Sequence, residues 1–261
     1  MQEICDDRFI ALALDLAEMS RSIVKRYFRS DIETIDKADT TPVTVADREA
    51  EAAMRSLITQ TFPDHGIIGE EYGEERVDRE YVWVLDPIDG TRSFVAGLPL
   101  FGTLIALAHH GRSILGVIDH PATDERWLGA IGYATTHNGT TARSRTCHAI
   151  GQATLYATGP ELFTGADAQA FVRLRRAVKL IRYSTDCYAY GMVAGGFGDL
   201  VAEAGLKSVD YMALAPIVEG AGGMITDWQG KPLSLASGGR ILAAGDGRTH
   251  GQALSLLAAD A

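Results

Sequence analysis

The sequence predicts helices layered with sheets, a mixed α+β arrangement over about residues 1–140 and an α/β one over 141–261. Three observations predict it. Residues 81–85, from Tyr81 through Trp83 to Leu85, form a short apolar run of aromatic and β-branched type, expected of a strand covered on both faces. Apolar residues at Ile10, Leu14, Ala17 and Val24 recur at helical spacing. In the second half, short apolar runs alternate with helical stretches, the pattern of βα units.

The first helix occupies about residues 6–28, with Arg and Lys towards its end. After a polar turn over 36–42, Thr44 opens a second helix whose inner side carries Ala53, Met54, Leu57 and Ile58. Thr44 and Asp47 are spaced as a capping pair. Residues 66–69 form a strand ending in Glu70 and Glu71, and a hairpin-sized charged connection over 72–80 lets these acids reach the edge where Asp86 lies. Pro87 lacks an N–H and stops the 81–85 strand at Asp86. Residues 92–99 read as a short helix or turn. Strands at 101–108 and 113–119 are joined through His109 and His110, surface histidines with no third ligand at metal spacing. Strands at 127–134 and from 140 onward meet through the turn pair Asn138 and Gly139. The second half reads as strand 154–158, helix 166–178, strand 179–183, helix 184–196 and strand 199–204. A helix over 211–221 stopped by Gly222 and Gly223, strands at 224–227 and 241–244, and a helix over 250–258 complete the chain.

The 261 residues suffice to bury about three quarters of the unfolded surface, so no disulfide is needed for folding. Cys5, Cys147 and Cys187 are odd in number and scattered, which argues for a reducing, cytoplasmic setting and against a cysteine metal site. No apolar run approaches membrane-spanning length. A formal net charge of −10 opposes binding to nucleic acid or anionic membrane. A phosphorylated substrate would need divalent cations to approach so acidic a chain.

Asp86 and Asp89 flank a proline of fixed φ at a strand's C-terminal edge, where open α/β sheets place ligands. Gly90 permits a tight turn, and the amides of Gly90 and Thr91 can face an anion. An Asx turn would explain Asp89 and Gly90 alone, but two carboxylates on a rigid turn make a better Mg²⁺ platform than a core. The segment from Asp86 to Thr91 resembles the signature of the inositol monophosphatase superfamily. The resemblance extends over nearly the whole chain, through residues 43–47, Gly69-Glu70-Glu71, and Asp210 followed by Ala221-Gly222-Gly223.

That resemblance implies one catalytic domain spanning 1–261, folded as an α-β-α-β-α sandwich, with two or three Mg²⁺ per active site. Glu70, Asp86 and the Ile88 carbonyl would hold one ion, and Asp86, Asp89 and Asp210 a second. Glu70, Asp47 and Thr91 make up the catalytic set, Thr91 orienting the attacking water and Asp47 accepting the threonine proton. Gly90 and Thr91 would bind phosphate through their amides. The substrate is a small phosphorylated metabolite, and a homodimer is expected through the apolar section holding Phe94, Leu98, Leu100 and Phe101. Residues 209–214 depart from the wording usual in enzymes acting on inositol phosphates. With residues 186–188 and 226–233 they resemble the histidinol-phosphate phosphatase branch, for which Asp186 and Glu203 are candidate substrate contacts. Helix capping by Asp186 and a solvated strand end at Glu203 are the competing readings. Inositol monophosphatase is the alternative enzyme, and a phosphate-binding regulatory protein the alternative without catalysis. An aspartyl-phosphate mechanism is excluded, because Asp86 and Asp89 lack the Asp-x-Asp spacing.

Overall fold

A computed structural model describes residues 4–30, 34–36 and 42–258. Most of the polar turn expected over 36–42, and the Thr44 side chain of the capping pair, lie outside the described residues. In chain order the first half comprises α1 (Asp7–Tyr27), β1 (Thr34–Asp36), β2 (Pro42–Thr44), α2 (Val45–Thr61), β3 (Gly66–Gly69), β4 (Gly73–Glu75), β5 (Tyr81–Asp89), α3 (Thr91–Val95), β6 (Gly102–His109), β7 (Arg112–His120), β8 (Glu125–Ala130), β9 (Thr136–His137) and β10 (Thr140–Thr141). The second comprises β11 (Thr154–Ala157), α4 (Gly165–Ala177), β12 (Leu180–Tyr183), α5 (Tyr188–Ala194), β13 (Leu200–Glu203), α6 (Ser208–Tyr211), α7 (Leu214–Gly220), β14 (Met224–Asp227), β15 (Ile241–Ala244) and α8 (Gly247–Ala258).

Side-chain alternation along β5 explains the layering. Trp83 and Leu85 face a core shared with Leu12, Leu16, Met54 and Ile58 of α1 and α2. Val82 and Val84 face the opposite core, with Tyr190 and Val193 of α5 and Ile217 and Val218 of α7. That core also takes Val201, Ile225 and Ala243 from the second sheet. Leu200 and Ala202, on the other face of β13, pack with Phe171 and Leu174 of α4 and Leu257 of α8. The expected α-β-α-β-α sandwich results. Its eight-stranded sheet has the order β10-β9-β8-β7-β6-β5-β3-β4, and its five-stranded sheet the order β12-β11-β13-β15-β14.

Several local expectations need correction. β5 does not stop at Asp86 but continues through Pro87 to Asp89, with a register shift against β6 between Asp86 and Asp89. A bulge is where a strand tolerates a missing N–H. The connection over 72–80 does not form a simple hairpin between β3 and the next long strand. β4 folds back on β3 at the sheet edge, and β3 then pairs parallel with β5. Only parallel pairing brings Glu70 to the same edge as Asp86; a direct hairpin would have separated them.

The Asn138-Gly139 turn joins β9 to β10, while β8 ends at Ala130 and pairs with β9. Ser184 and Asp186 have left-handed φ of 59° and 42°, so the helix expected over 184–196 begins only at Tyr188. The helix over 211–221 is split into α6 and α7, with Pro216 in the first turn of α7, where a missing N–H costs least. α8 starts at Gly247, three residues before the expected His250. Phe94 and Phe101 are buried and pack on Phe28, so of the four residues expected at a dimer contact Leu98 is the exposed one, with Val95 exposed beside it. All three cysteines are free and buried. Among the described residues no helix is long and apolar enough to cross a membrane.

Candidate active site

Four chain segments meet at the C-terminal edge of β5. β5 supplies Asp86 and Asp89, and the parallel β3 delivers Glu70, whose N–H donates to the Leu85 carbonyl at 3.2 Å. The first turn of α2 supplies Asp47, 1% exposed. From the second half, α6 carries Asp210 to the same edge. Carboxylate oxygens of Asp86, Asp89 and Asp210 all lie within 4.8 Å of one another. The sequence-predicted acids are thus brought together from positions as far apart as 47 and 210.

Each of the three central carboxylates is oriented by a backbone amide. Ile88 N–H donates to Asp86 Oδ1 at 3.0 Å, Cys187 N–H to Asp89 Oδ2 at 2.7 Å, and Lys207 N–H to Asp210 Oδ2 at 2.6 Å. An amide fixes direction but carries no full charge, so repulsion persists. Burial, followed by the charges of Glu70, Asp89, Asp210 and Asp47, pushes the Asp86 carboxyl well above its ordinary range. Burial and then Asp186 and Asp210 do the same to Asp89. Asp210 is pushed up to about 6, chiefly by burial, with Glu70 adding to it and the Lys207 amide opposing. The ammonium of Lys207, 3.9 Å from Glu70, sits at the solvent-exposed rim. Converging, amide-held oxygen donors whose carboxyls are pushed up by burial and mutual repulsion suit a hard divalent cation.

Beside the acids, Gly90 has φ 81° and ψ 38° and opens α3. A side chain there would be strained by the left-handed backbone, and its Cβ would come within 3.0–3.2 Å of the Asp186 side chain. The Thr91 hydroxyl donates to the Ile88 carbonyl at 3.0 Å. Asp186 does not cap α5. Its Oδ2 accepts the Ser93 hydroxyl at 3.0 Å instead, placing the carboxylate over the Gly90 turn. Nor is Glu203 a solvated strand end, being 1% exposed. Its Oε1 accepts the Thr158 N–H at 2.6 Å and hydroxyl at 2.9 Å, while Oε2 has no hydrogen-bond partner among the described residues. Burial pushes Glu203 up to about 8, against the pull of Thr158 and with help from Asp186 and Asp210.

The inositol monophosphatase family model matches residues 6–260. The chain belongs to that family. The chloroplastic bifunctional phosphatase IMPL2 of Arabidopsis thaliana is 49% identical over 96% of this chain and 75% of its own length. A histidinol-phosphatase of Chlorobaculum parvum is 36% identical over 90% of this chain and 91% of its own. Among solved structures, an inositol monophosphatase from Zymomonas mobilis superposes with a TM-score of 0.90 at 44% identity, over 96% of this chain and 98% of the other. Membership makes the chain a phosphatase of small phosphorylated substrates in a metal-dependent family.

Sequence reasoning missed the residues that hold the acids in place. Glu51 is fully buried, accepts the N–H groups of Glu71 at 2.7 Å and Tyr72 at 3.1 Å, and pairs with Arg55 Nε at 2.8 Å. Gly69 exists to admit it, since a Cβ there would sit 1.9 Å from Glu51 Oε1. The signal was present in the helix pattern. Glu51 lies on the inner stripe of α2 with Ala46, Ala50, Met54 and Ile58, where an acid needs a reason. Ser93, Thr158 and the Cys187 amide had no comparable signal.

Proposed function

We propose that the chain is a Mg²⁺-dependent phosphomonoesterase that converts histidinol phosphate and water to histidinol and phosphate. The observation that carries the substrate is Glu203, a buried carboxylate with one partnerless oxygen among the described residues, next to the metal-ligand candidates. A cation is what such a group binds best, and the leaving alcohol of histidinol phosphate bears an ammonium. The histidinol-phosphatase name of the Chlorobaculum relative supports the same reading.

Glu70, Asp86 and the Ile88 carbonyl would hold one Mg²⁺, and Asp86, Asp89 and Asp210 a second. When bound, Mg²⁺ would supply Lewis-acid stabilisation of charge on the phosphoryl oxygens and a more acidic water. The amides of Gly90 and Thr91 orient the phosphate. The Thr91 hydroxyl would orient the attacking water after turning its proton from the Ile88 carbonyl, to which it donates in this structure, to Asp47, buried at the start of α2. No side chain acts as nucleophile. Phosphate release from histidinol phosphate and from inositol 1-phosphate, each with Mg²⁺, tests the reading. A higher kcat/KM for histidinol phosphate is expected. Preference for inositol 1-phosphate would replace it with inositol monophosphatase, and release from neither would favour a phosphate-binding protein.

Glu51 is a positioning residue for Glu70 in this scheme. Glu51→Ala strips the acceptor from two amides and a partly buried guanidinium, and lets the end of β3 drift from Asp86. The Mg²⁺ concentration for half-maximal activity should rise roughly 10–100-fold, the usual effect of losing an outer-shell partner. Glu51→Gln, which keeps one acceptor, should lose less. An unchanged Mg²⁺ dependence in folded Glu51→Ala would confine Glu51 to stability.

A further inference from the structure

We propose that Glu80, His109 and His110 form a second, separate metal site at the β6–β7 turn, suited to Zn²⁺ and not to Mg²⁺. The sequence offered two adjacent histidines without a third ligand. The third comes from 29 residues earlier, because β5 pairs antiparallel with β6 and sets Tyr81 opposite His109. Glu80 directly precedes β5 and is thereby brought beside both imidazoles. The backbone pins the arrangement, with His110 N–H donating to the Glu80 carbonyl at 2.9 Å. His110 and Gly111 turn the chain with φ of 49° and 79°.

The donor atoms have the spacing of a coordination shell. One ligand atom from each of the three residues lies within 4.8 Å of the others. Glu80 Oε1 is 2.9 Å from His109 Nε2 and 3.8 Å from His110 Nε2. Zinc bonds of about 2.0–2.1 Å in a tetrahedron separate neighbouring ligand atoms by roughly 3.3 Å. The two separations straddle that value, so small side-chain rotations bring all three donors onto one ion. The His109 ring is already oriented, stacked on Tyr81 at 4.7 Å and 12°, and Tyr81 in turn stacks on His65 at 5.1 Å. His110 and Glu80 are exposed at 72% and 57%, leaving an entry path and room for a water as fourth ligand.

Ligand chemistry selects the ion. Two imidazoles and one carboxylate suit borderline transition ions, whereas Mg²⁺ takes an oxygen shell such as that of Asp86, Asp89 and Asp210. The two sites sit at opposite ends of β5. From Tyr81 to Asp86 the strand covers roughly 17 Å at about 3.3 Å per residue, so occupation of one leaves the ligands of the other untouched. Zn²⁺ here would tie the start of β5 to the β6–β7 turn and stabilise the folded chain by mass action.

The test uses the full-length protein with saturating Mg²⁺ and two probes, Zn²⁺ in calorimetric titration and Cu²⁺ in electron paramagnetic resonance. Wild type should bind Zn²⁺ with a melting-temperature increase, and its Cu²⁺ spectrum should show imidazole nitrogen hyperfine coupling, which an all-oxygen centre cannot give. His110→Ala and Glu80→Gln should each weaken Zn²⁺ binding at least tenfold, and His110→Ala should lose the coupling of one of the two imidazole nitrogens, with phosphatase activity unchanged. Asp86→Asn should leave the Zn²⁺ affinity of this site intact. Equal Zn²⁺ affinity and equal nitrogen coupling in wild type and His110→Ala would overturn the proposal.

Discussion

Asp86→Asn should lower kcat on the order of 10³-fold while leaving the fold intact, and should make the metal-free protein more stable than wild type. The first effect follows from removing the carboxylate that the proposed scheme assigns to both ions, since metal stabilisation of transition-state charge is worth several kcal/mol and each 1.36 kcal/mol is a decade in rate. The second follows from linkage. Burial and the charges of Glu70, Asp89, Asp210 and Asp47 hold the folded pKa of Asp86 above its unfolded value. Its contribution is therefore favourable below about pH 4, the unfolded carboxylate range, and is lost as pH rises through the folded value. Asparagine carries no such penalty. In EDTA the difference in melting temperature, variant minus wild type, should be small near pH 4 and grow with pH, each kcal/mol giving about 2–4 °C. Taking the difference cancels the opposite trend of His120, whose buried imidazole is held down at about 4. With saturating Mg²⁺ the order should reverse, because only wild type gains the full binding energy. Near-normal turnover of Asp86→Asn at saturating Mg²⁺ would sink the two-ion scheme, and a pH-independent difference would sink the repulsion.

The elements and the Asp86–Gly90 turn were legible from local pattern, whereas the five-layer sandwich and the roles of Asp47, Glu70 and Asp210 came from the family resemblance. Strand β5 announced itself by an apolar run, the helices by period, and Asp86, Asp89 and Gly90 by turn chemistry that any backbone must obey. What stayed hidden depends on pairing across long separations. The parallel β3–β5 pairing, which decides where Glu70 points, cannot be read from a connection length that also fits a hairpin. The same holds for Glu80 beside His109 and for Thr158 beneath Glu203. Asp186 shows the other limit. Ser184-Thr185-Asp186 reads as a helix start, yet two left-handed residues turn the chain so that the Asp186 carboxylate meets Ser93 instead of an amide of α5.

Glu203→Ala and Asp186→Ala should each lower kcat/KM for histidinol phosphate roughly ten- to a hundredfold, and for a simple aryl phosphate far less. Glu203 Oε1 is committed to Thr158, while Oε2 has no hydrogen-bond partner among the described residues and is shielded from water. Without a partner the group is pushed up to about 8 by burial and is largely protonated at neutral pH. An ammonium arriving beside it favours the carboxylate, and a charge-assisted hydrogen bond out of water is worth about 1.5–3 kcal/mol, the source of the expected factor. Asp186 lies across the Gly90 turn and offers a second negative group on the same side of the acidic centre. The two differ in risk. Asp186→Ala also removes the Ser93 contact, so Ser93→Ala serves as its control and should not reproduce the selective loss. Glu203→Gln keeps the shape and the Thr158 contact without the charge, and should behave as Glu203→Ala does if charge is the cause. Equal losses on both substrates would move these residues from substrate recognition to support of the Gly90 turn and β13. A wild-type preference for inositol phosphate, with Glu203→Ala impairing it equally, would instead make Glu203 an acceptor for a hydroxyl and overturn the choice of substrate.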